Sequence, residues 1–323
     1  MTTDLLADQD LAALVRVSRP EHALISTLQR PEPERFVARL PERGGHPYLQ
    51  LFGWRHPVTI AELLRQLSVA VVRLSLPVHE HHDYALTGMR WRYPGVQAPR
   101  LPTQLGAGVL STPGPLPTSV ELRLGRRSER DGKLAKLALS ATLFADDVVL
   151  CALELDGGFY PYAVLDGLMR RAVGDRVAPV PIYPPRSTAL ATTLGIEPEL
   201  LLIDEPETLA DGARRTAIVA SSEHPFFHHN VAPELRRHVP AVLLLEAALQ
   251  LVRCLPATGE RCIEEIVVAL REYVAFNRLD TWLSAQEHQD PEGTRVIIGV
   301  QQGEAPVNKG SFELLLSGPD QRR

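Results

Sequence analysis

Residues 224–255 read HPFFHHNVAPELRRHVPAVLLLEAALQLVRCL, and residues 46–74 read HPYLQLFGWRHPVTIAELLRQLSVAVVRL. Each stretch enters on a His-Pro-aromatic triplet, His46-Pro47-Tyr48 in one and His224-Pro225-Phe226 in the other. Each then meets a second histidine and a proline, and runs on into an apolar segment with one early glutamate. Glu62 and Glu246 correspond, 184 residues apart, and each opens a Glu-x-x-x-Gln pattern closed by Gln66 and Gln250. From His-Pro to Glu is 16 residues in the first copy and 22 in the second, so the second carries a longer loop. A period this long does not suit a solenoid; it suits tandem duplication of a whole domain. The reading is a domain over 1–165, a linker over 166–185 and a second domain over 186–323.

Strand patterns surround both segments. After the first come DYALTGMRWRY, a breaker-rich loop from Pro94 to Pro117, and SVELRLGRRS, LAKLALSATLFADD and VVLCALELDGGFY, which read as an antiparallel meander. After the second come TRVIIGVQQG and VNKGSFELLLS, preceded by RCIEEIVVALREYVAF, whose length and Glu/Arg content suit a helix as well as a strand. YAVLDGLMRRAVGDR predicts a short linking helix before the Pro-rich APVPIYPPRS. One long helix followed by strands, twice, is an α+β pattern.

The 323 residues are 45% hydrophobic and 23% charged, enough apolar surface for a substantial core and too much for wholesale disorder. The net charge of −5 provides no global basic field for nucleic acid or anionic lipid, so neither is expected as a partner. Cys151, Cys254 and Cys262 form no C-x-x-C pair, which argues against a disulfide scaffold or structural zinc and for a reducing compartment. The first 20 residues lack a basic start followed by an apolar run, and no uncharged apolar stretch is long enough to span a bilayer. A soluble, cytoplasmic protein is expected.

PAVLLLEAALQLVRCL is apolar almost all round, as a helix buried on every side would be. Its polar residues Glu246, Gln250 and Arg253 share one face, and Glu62, Arg65, Gln66 and Arg73 share a stripe in the first copy. A carboxylate on such a helix is costly unless paired, hydrogen-bonded or facing a cavity. The bland reading makes each Glu a complement to the helix dipole. Two at equivalent positions, each preceded by histidines, favour an active-site role. Of His46, His56, His224, His228, His229 and His238, most are expected to serve a solvated loop or to hydrogen bond backbone. His228-His229 lacks a carboxylate or Cys at metal-ligand spacing, so no metal and no other cofactor is expected. The cluster His79-Glu80-His81-His82-Asp83 reads as a loop. Arg236-Arg237 either solvates a loop or supplies fixed charge to an anionic substrate.

HPFF…HVPAVLLLEAALQ resembles the second repeat of the A-factor synthase (AfsA-type) family, which makes precursors of γ-butyrolactone and butenolide signals, and HPYLQL…HPVTIAELLRQ resembles the first. The resemblance continues through LPVHEHHDYAL, RDGKLAKLALSATLF and REYVAFNRLDTWL, spanning most of residues 20–316. It implies a tandem hotdog fold, two long central helices each wrapped by an antiparallel sheet, forming a pseudo-dimer as a monomer or a homodimer. It also implies transfer of a β-ketoacyl group from an acyl carrier protein thioester, or acyl-CoA, to a small phosphorylated alcohol such as dihydroxyacetone phosphate. The family's second repeat reads Glu-x-x-Arg-Gln, but here that arginine is Leu249; the first repeat keeps Glu62-x-x-Arg65-Gln66. The family's Asp-His-Val-Pro-Gly becomes Arg237-His238-Val239-Pro240-Ala241.

Such a transfer needs a base at the hydroxyl, a donor for the thioester oxyanion and cations for phosphate. The candidates are Glu62 or Glu246 as base, raised in pKa by burial, and a helix N-terminus as oxyanion donor. Arg65, Arg236 and Arg237, with Gln66 and Gln250 beside the glutamates, are the candidates for substrate and phosphate. In a pseudo-dimer the partner histidines cross between repeats: His229 or His238 to Glu62, and His46 or His56 to Glu246. Because it keeps its arginine, the Glu62 site is expected to be the working one. The competing readings are a hotdog β-hydroxyacyl-thioester dehydratase or thioesterase, and a non-catalytic acyl-binding relative. Helices over Val58–Leu74 and Pro240–Leu255 are expected at the centre of the fold.

Overall fold

The computed structural model describes residues 5, 10–17, 19–42, 45–76, 82–101, 115–173, 179–183, 185–219, 221–224, 238–256, 261–303 and 307–318. They fall into two compact units, one drawn from within Met1–Gln97 and Pro113–Asp166, the other from within Ala98–Thr112, Gly167–Phe227 and Val231–Arg323.

The first unit opens with a short helix α1 (Leu11–Val15), capped by Asp10, whose carboxylate accepts from the Ala13 amide. A 3-10 turn at Pro20–His22 and the hairpin β1 (Thr27–Glu32) and β2 (Arg35–Arg39) follow. Next come α2 (Pro47–Phe52), α3 (Pro57–Ser75) and β3 (His82–Arg92). Strand β4 (Arg100–Leu101) belongs to the second unit. The first unit resumes with the meander β5 (Ser119–Arg130), β6 (Lys133–Ala145) and β7 (Val148–Pro161). Asp131 and Gly132 take positive φ at the β5–β6 turn, which a tight hairpin requires. The antiparallel sheet runs β1-β2-β5-β6-β7-β3.

Helix α4 (Tyr162–Val173) is the linking helix expected from its sequence. The second unit then carries α5 (Thr188–Leu194), a 3-10 turn at Pro198–Leu200, β8 (Glu207–Thr208), β9 (Arg214–Ala217) and α6 (Ala241–Arg253). It ends with β10 (Arg261–Leu270), β11 (Thr281–Asp290), β12 (Gly293–Gln302) and β13 (Val307–Ser317). Its sheet runs β8-β9-β11-β12-β13-β10, and β4 pairs with β10. Substituting element for element, this is the strand order of the first unit, with the long helix again between the second and third strands in chain order. Each unit is an α+β assembly of one long helix and an antiparallel sheet, which fits a hotdog fold.

The run RCIEEIVVALREYVAF is a strand over its first ten residues, β10. Its ladders to β13 and β4 settle the choice that its composition left open. Both long helices are buried as their apolar runs predict. Every residue of α6 from Val242 to Val252 is buried, and in α3 from Pro57 to Val72 only Arg65 and Val69 are less than fully buried. Among the described residues no helix is long and apolar enough to cross a membrane.

Candidate functional site

Each buried helix carries the same couple on one face, because residues four apart in a helix stand one above the other. Gln66 Nε2 donates to Glu62 Oε1 at 2.9 Å, and Gln250 Nε2 donates to Glu246 Oε1 at 3.1 Å. Each glutamine also grips a backbone segment ahead of the helix. Gln66 Oε1 accepts from the Leu24 amide at 2.8 Å and its Nε2 donates to the His22 carbonyl at 3.1 Å. Gln250 Oε1 accepts from the Leu202 amide at 2.9 Å and its Nε2 donates to the Leu200 carbonyl at 3.2 Å. The segments gripped are the ends of the two 3-10 turns, and they are alike in sequence: Pro20-Glu21-His22-Ala23-Leu24 and Pro198-Glu199-Leu200-Leu201-Leu202. These four backbone partners are absent from the sequence reading, although the repeated Pro-Glu-x-x-Leu was a signal for them. The last-turn arginines also match: Arg73 donates to the Ala13 and Leu14 carbonyls of α1, and Arg253 to the Leu194 carbonyl of α5.

The residue three places after each glutamate differs. Arg65 binds Glu62 through both arms of its guanidinium, Nε to Oε2 at 2.8 Å and Nη2 to Oε1 at 2.6 Å. Glu62 is fully buried while a quarter of the Arg65 side chain is exposed. The matching residue after Glu246 is Leu249, itself buried. Burial pushes the Glu246 carboxyl up to about 7, against the opposing pull of the Gln250 hydrogen bond and the Arg253 charge. A carboxyl poised there exchanges a proton near neutral pH.

The histidines divide. His46 Nδ1 accepts from the Tyr48 amide at 3.1 Å as the N-cap of α2, with Pro47 at the first helical position. An accepting Nδ1 assigns the ring proton to Nε2, and that nitrogen stands 3.9 Å from Glu62 Oε1, beyond hydrogen-bond reach. His46 therefore sits beside the glutamate of its own unit, whereas the sequence reading set it against Glu246. His56 caps α3 in the same way, Nδ1 accepting from the Val58 amide at 3.3 Å, and stacks on Phe52 at 4.5 Å. His224 is buried, and burial with the Arg186 charge lowers its pKa to about 3, opposed by a hydrogen bond with the Leu201 backbone. His238 forms an isolated bridge to Ala275 and meets the Tyr273 ring edge-on at 4.8 Å. His228, His229, Arg236 and Arg237 lie outside the described residues. Among the described residues no three His, Cys, Asp or Glu side chains gather to hold a metal ion.

No protein-family model matches the chain, and no curated protein matches it significantly. Among solved structures it is similar to a TesB protein of Mycobacterium avium subsp. paratuberculosis, 13% identical over 96% of this chain and 98% of that one, TM-score 0.44. The 12:0-ACP thioesterase of Umbellularia californica is 9% identical over 87% and 96%, TM-score 0.46. An acyl-CoA thioesterase II of Mycobacterium marinum is 8% identical over 93% and 98%, TM-score 0.43. Likenesses this distant leave the assignment of activity to the residues themselves.

Proposed function

We propose that this chain acts on acyl thioesters and that Glu246 is the base that activates the attacking oxygen. The observation that carries the reading is the Glu246 carboxyl itself, fixed by Gln250 on a buried helix and holding its proton up to about pH 7. The sequence resemblance supplies the thioester as substrate class. The ionised carboxylate takes a proton from water as the oxygen attacks the thioester carbonyl carbon. The carbon–sulfur bond then breaks, the proton passes to the departing sulfur, and a free acid and a thiol result.

Hydrolysis is favoured over transfer to a phosphorylated alcohol by the state of Arg65, the described member of the three arginines assigned to phosphate. Arg65 has both arms of its guanidinium on Glu62, and that pair carries no net charge to offer a phosphate. At the corresponding place in α6, Leu249 has no donor at all. Water needs no such contact. Transfer to a dihydroxyacetone phosphate-like acceptor is the second reading, and the resemblance along residues 20–316 favours it.

The test supplies β-ketoacyl- and β-hydroxyacyl-CoA and the corresponding carrier-protein thioesters, with and without dihydroxyacetone phosphate, and reads thiol release and product mass. Free acid formed without acceptor supports hydrolysis. Ester formed only with the acceptor supports transfer. Thiol release from none of the substrates rules out both.

A further inference from the structure

We infer that His224 is a positioning residue for Glu246, acting through the Pro198–Leu202 turn and Gln250. The inference rests on the reading of Glu246 as the base and names what aims the amide beside it.

The contacts run without a break inside the second unit. The His224 amide donates to the Ser221 carbonyl at 3.0 Å and closes a tight turn. Asn277 clamps that turn: its Oδ1 accepts from the Ser222 amide at 3.1 Å and its Nδ2 donates to Ser222 Oγ at 3.2 Å. Asn277 does so from a left-handed backbone, φ 58°, which asparagine tolerates. The buried His224 ring hydrogen bonds the Leu201 backbone. The Leu201 amide already donates to the Pro198 carbonyl at 3.2 Å, so its carbonyl is the group that meets His224 and the imidazole is the donor. Arg186 holds the same turn from its start, Nη1 donating to the Pro198 carbonyl at 3.1 Å and to the Glu199 carbonyl. Leu201 lies between the two residues that Gln250 binds, Leu200 and Leu202.

A glutamine side chain can face either way, and this turn fixes which. It offers Gln250 one donor, the Leu202 N–H, and one acceptor, the Leu200 carbonyl, and a single orientation of the amide satisfies both. In that orientation Nε2 faces Glu246 Oε1 at 3.1 Å; the reverse would set an oxygen against the carboxylate. A donated hydrogen bond favours the ionised carboxylate, the form that takes a proton from water. Burial and the Arg186 charge keep His224 neutral down to about pH 3, while Arg253 is the charge acting on Glu246. An effect of His224 on Glu246 near neutral pH is therefore one of position, not of titration.

The experiment uses the full chain and reads the pH–rate profile of thiol release from acyl-CoA, with melting temperature as the check on folding. His224→Phe, His224→Gln, Gln250→Leu, Glu246→Gln and the double variant of His224→Phe with Gln250→Leu are compared. His224→Phe removes the donor to Leu201 and is expected to move the midpoint upward. Turnover at pH 6 should fall at least about twofold, the lower end for residues coupled in one hydrogen-bond network. His224→Gln keeps a donor and should stay near the wild-type midpoint, and the double variant should move it no further than Gln250→Leu. Four outcomes would each overturn the positioning role: a folded His224→Phe with the wild-type midpoint, a His224→Gln midpoint moved as far as that of His224→Phe, shifts that add in the double variant, or an unmoved midpoint in Gln250→Leu. Should His224→Phe fail to fold, Asn277→Gly keeps the left-handed backbone and removes the clamp on Ser222; the same upward shift is expected, and an unmoved midpoint overturns the role. Thiol release absent from the wild type, or kept in Glu246→Gln, would instead overturn the reading of Glu246 as base, and this inference with it.

Discussion

Arg65 and Glu62, three residues apart on α3, form a two-point ion pair whose carboxylate is wholly buried and whose guanidinium is a quarter exposed. Removing one member of a buried pair leaves the other without compensation, and that penalty exceeds what the intact pair contributes.

Arg65→Met is therefore expected to destabilise the protein by about 3 kcal/mol, the low end for a broken buried pair because solvent reaches part of the guanidinium. Glu62→Gln combined with Arg65→Met should recover part of that loss. Urea midpoints of the two single variants and the double variant measure the coupling; additive effects would show that the pair contributes nothing.

Glu246 sets a pH dependence with a definite sign. Its native pKa, about 7, lies above the unfolded carboxyl's 4.5, so the native state binds the proton more tightly. The resulting stability is fully present below pH 4.5 and is lost as pH rises through 7, a difference of about 3 kcal/mol by linkage. Glu246→Gln should flatten this slope between those pH values. If the carboxylate is the base, wild-type turnover should rise through pH 7 over the same range. A turnover that falls as pH rises there would count against it.

His224 acts at the acid end. Its native pKa of about 3 is below the ordinary 6.5, so the unfolded chain takes the proton first. Stability from the neutral imidazole is present above pH 6.5 and is lost as pH falls toward 3. His224→Gln should move the acid-unfolding midpoint to lower pH, read by circular dichroism. Between pH 4.5 and 6.5 the His224 and Glu246 slopes oppose each other, so each variant should unmask the slope of the other group.

Gln250→Leu removes a donor from Glu246 and strands the Leu202 amide and the Leu200 carbonyl. An unsatisfied buried group costs about 1–3 kcal/mol; the Leu202 amide is buried and the Leu200 carbonyl only partly so, and a loss of about 2–5 kcal/mol is expected. Because Gln250 holds the Glu246 carboxyl down, its loss should also move the pH–rate midpoint upward. A merely structural glutamine would lower stability and leave that midpoint in place.

Local pattern was enough for the long helices. A proline after His56 and an apolar run starting at once gave α3, and the all-apolar run after Pro240 gave α6, each within about two residues of its observed ends. The duplication was equally legible, since His-Pro-aromatic and Glu-x-x-x-Gln recur in order, and the strand order of the two units repeats with them. The face shared by Glu246, Gln250 and Arg253 also followed from spacing alone.

Other features depended on groups distant in sequence. Glu264 and Glu265 beside Val267 and Val268 suit a helix or a strand equally, and only pairing with β4 and β13, both distant in sequence, makes that segment β10. The roles of His46 and His56 are equally invisible in composition. A histidine before a proline becomes a helix cap only once its Nδ1 faces an amide two residues on, and which carboxylate lies near its other nitrogen is set by how α2 packs against α3. Sequence supplied Arg65 as a cation and Leu249 as its missing counterpart. The folded helix turned that cation onto the glutamate one turn back, because a buried carboxylate without a partner costs more than holding an arginine in place. Spacing thus placed the charged groups on common faces, and burial decided which of them pair and which keep their proton.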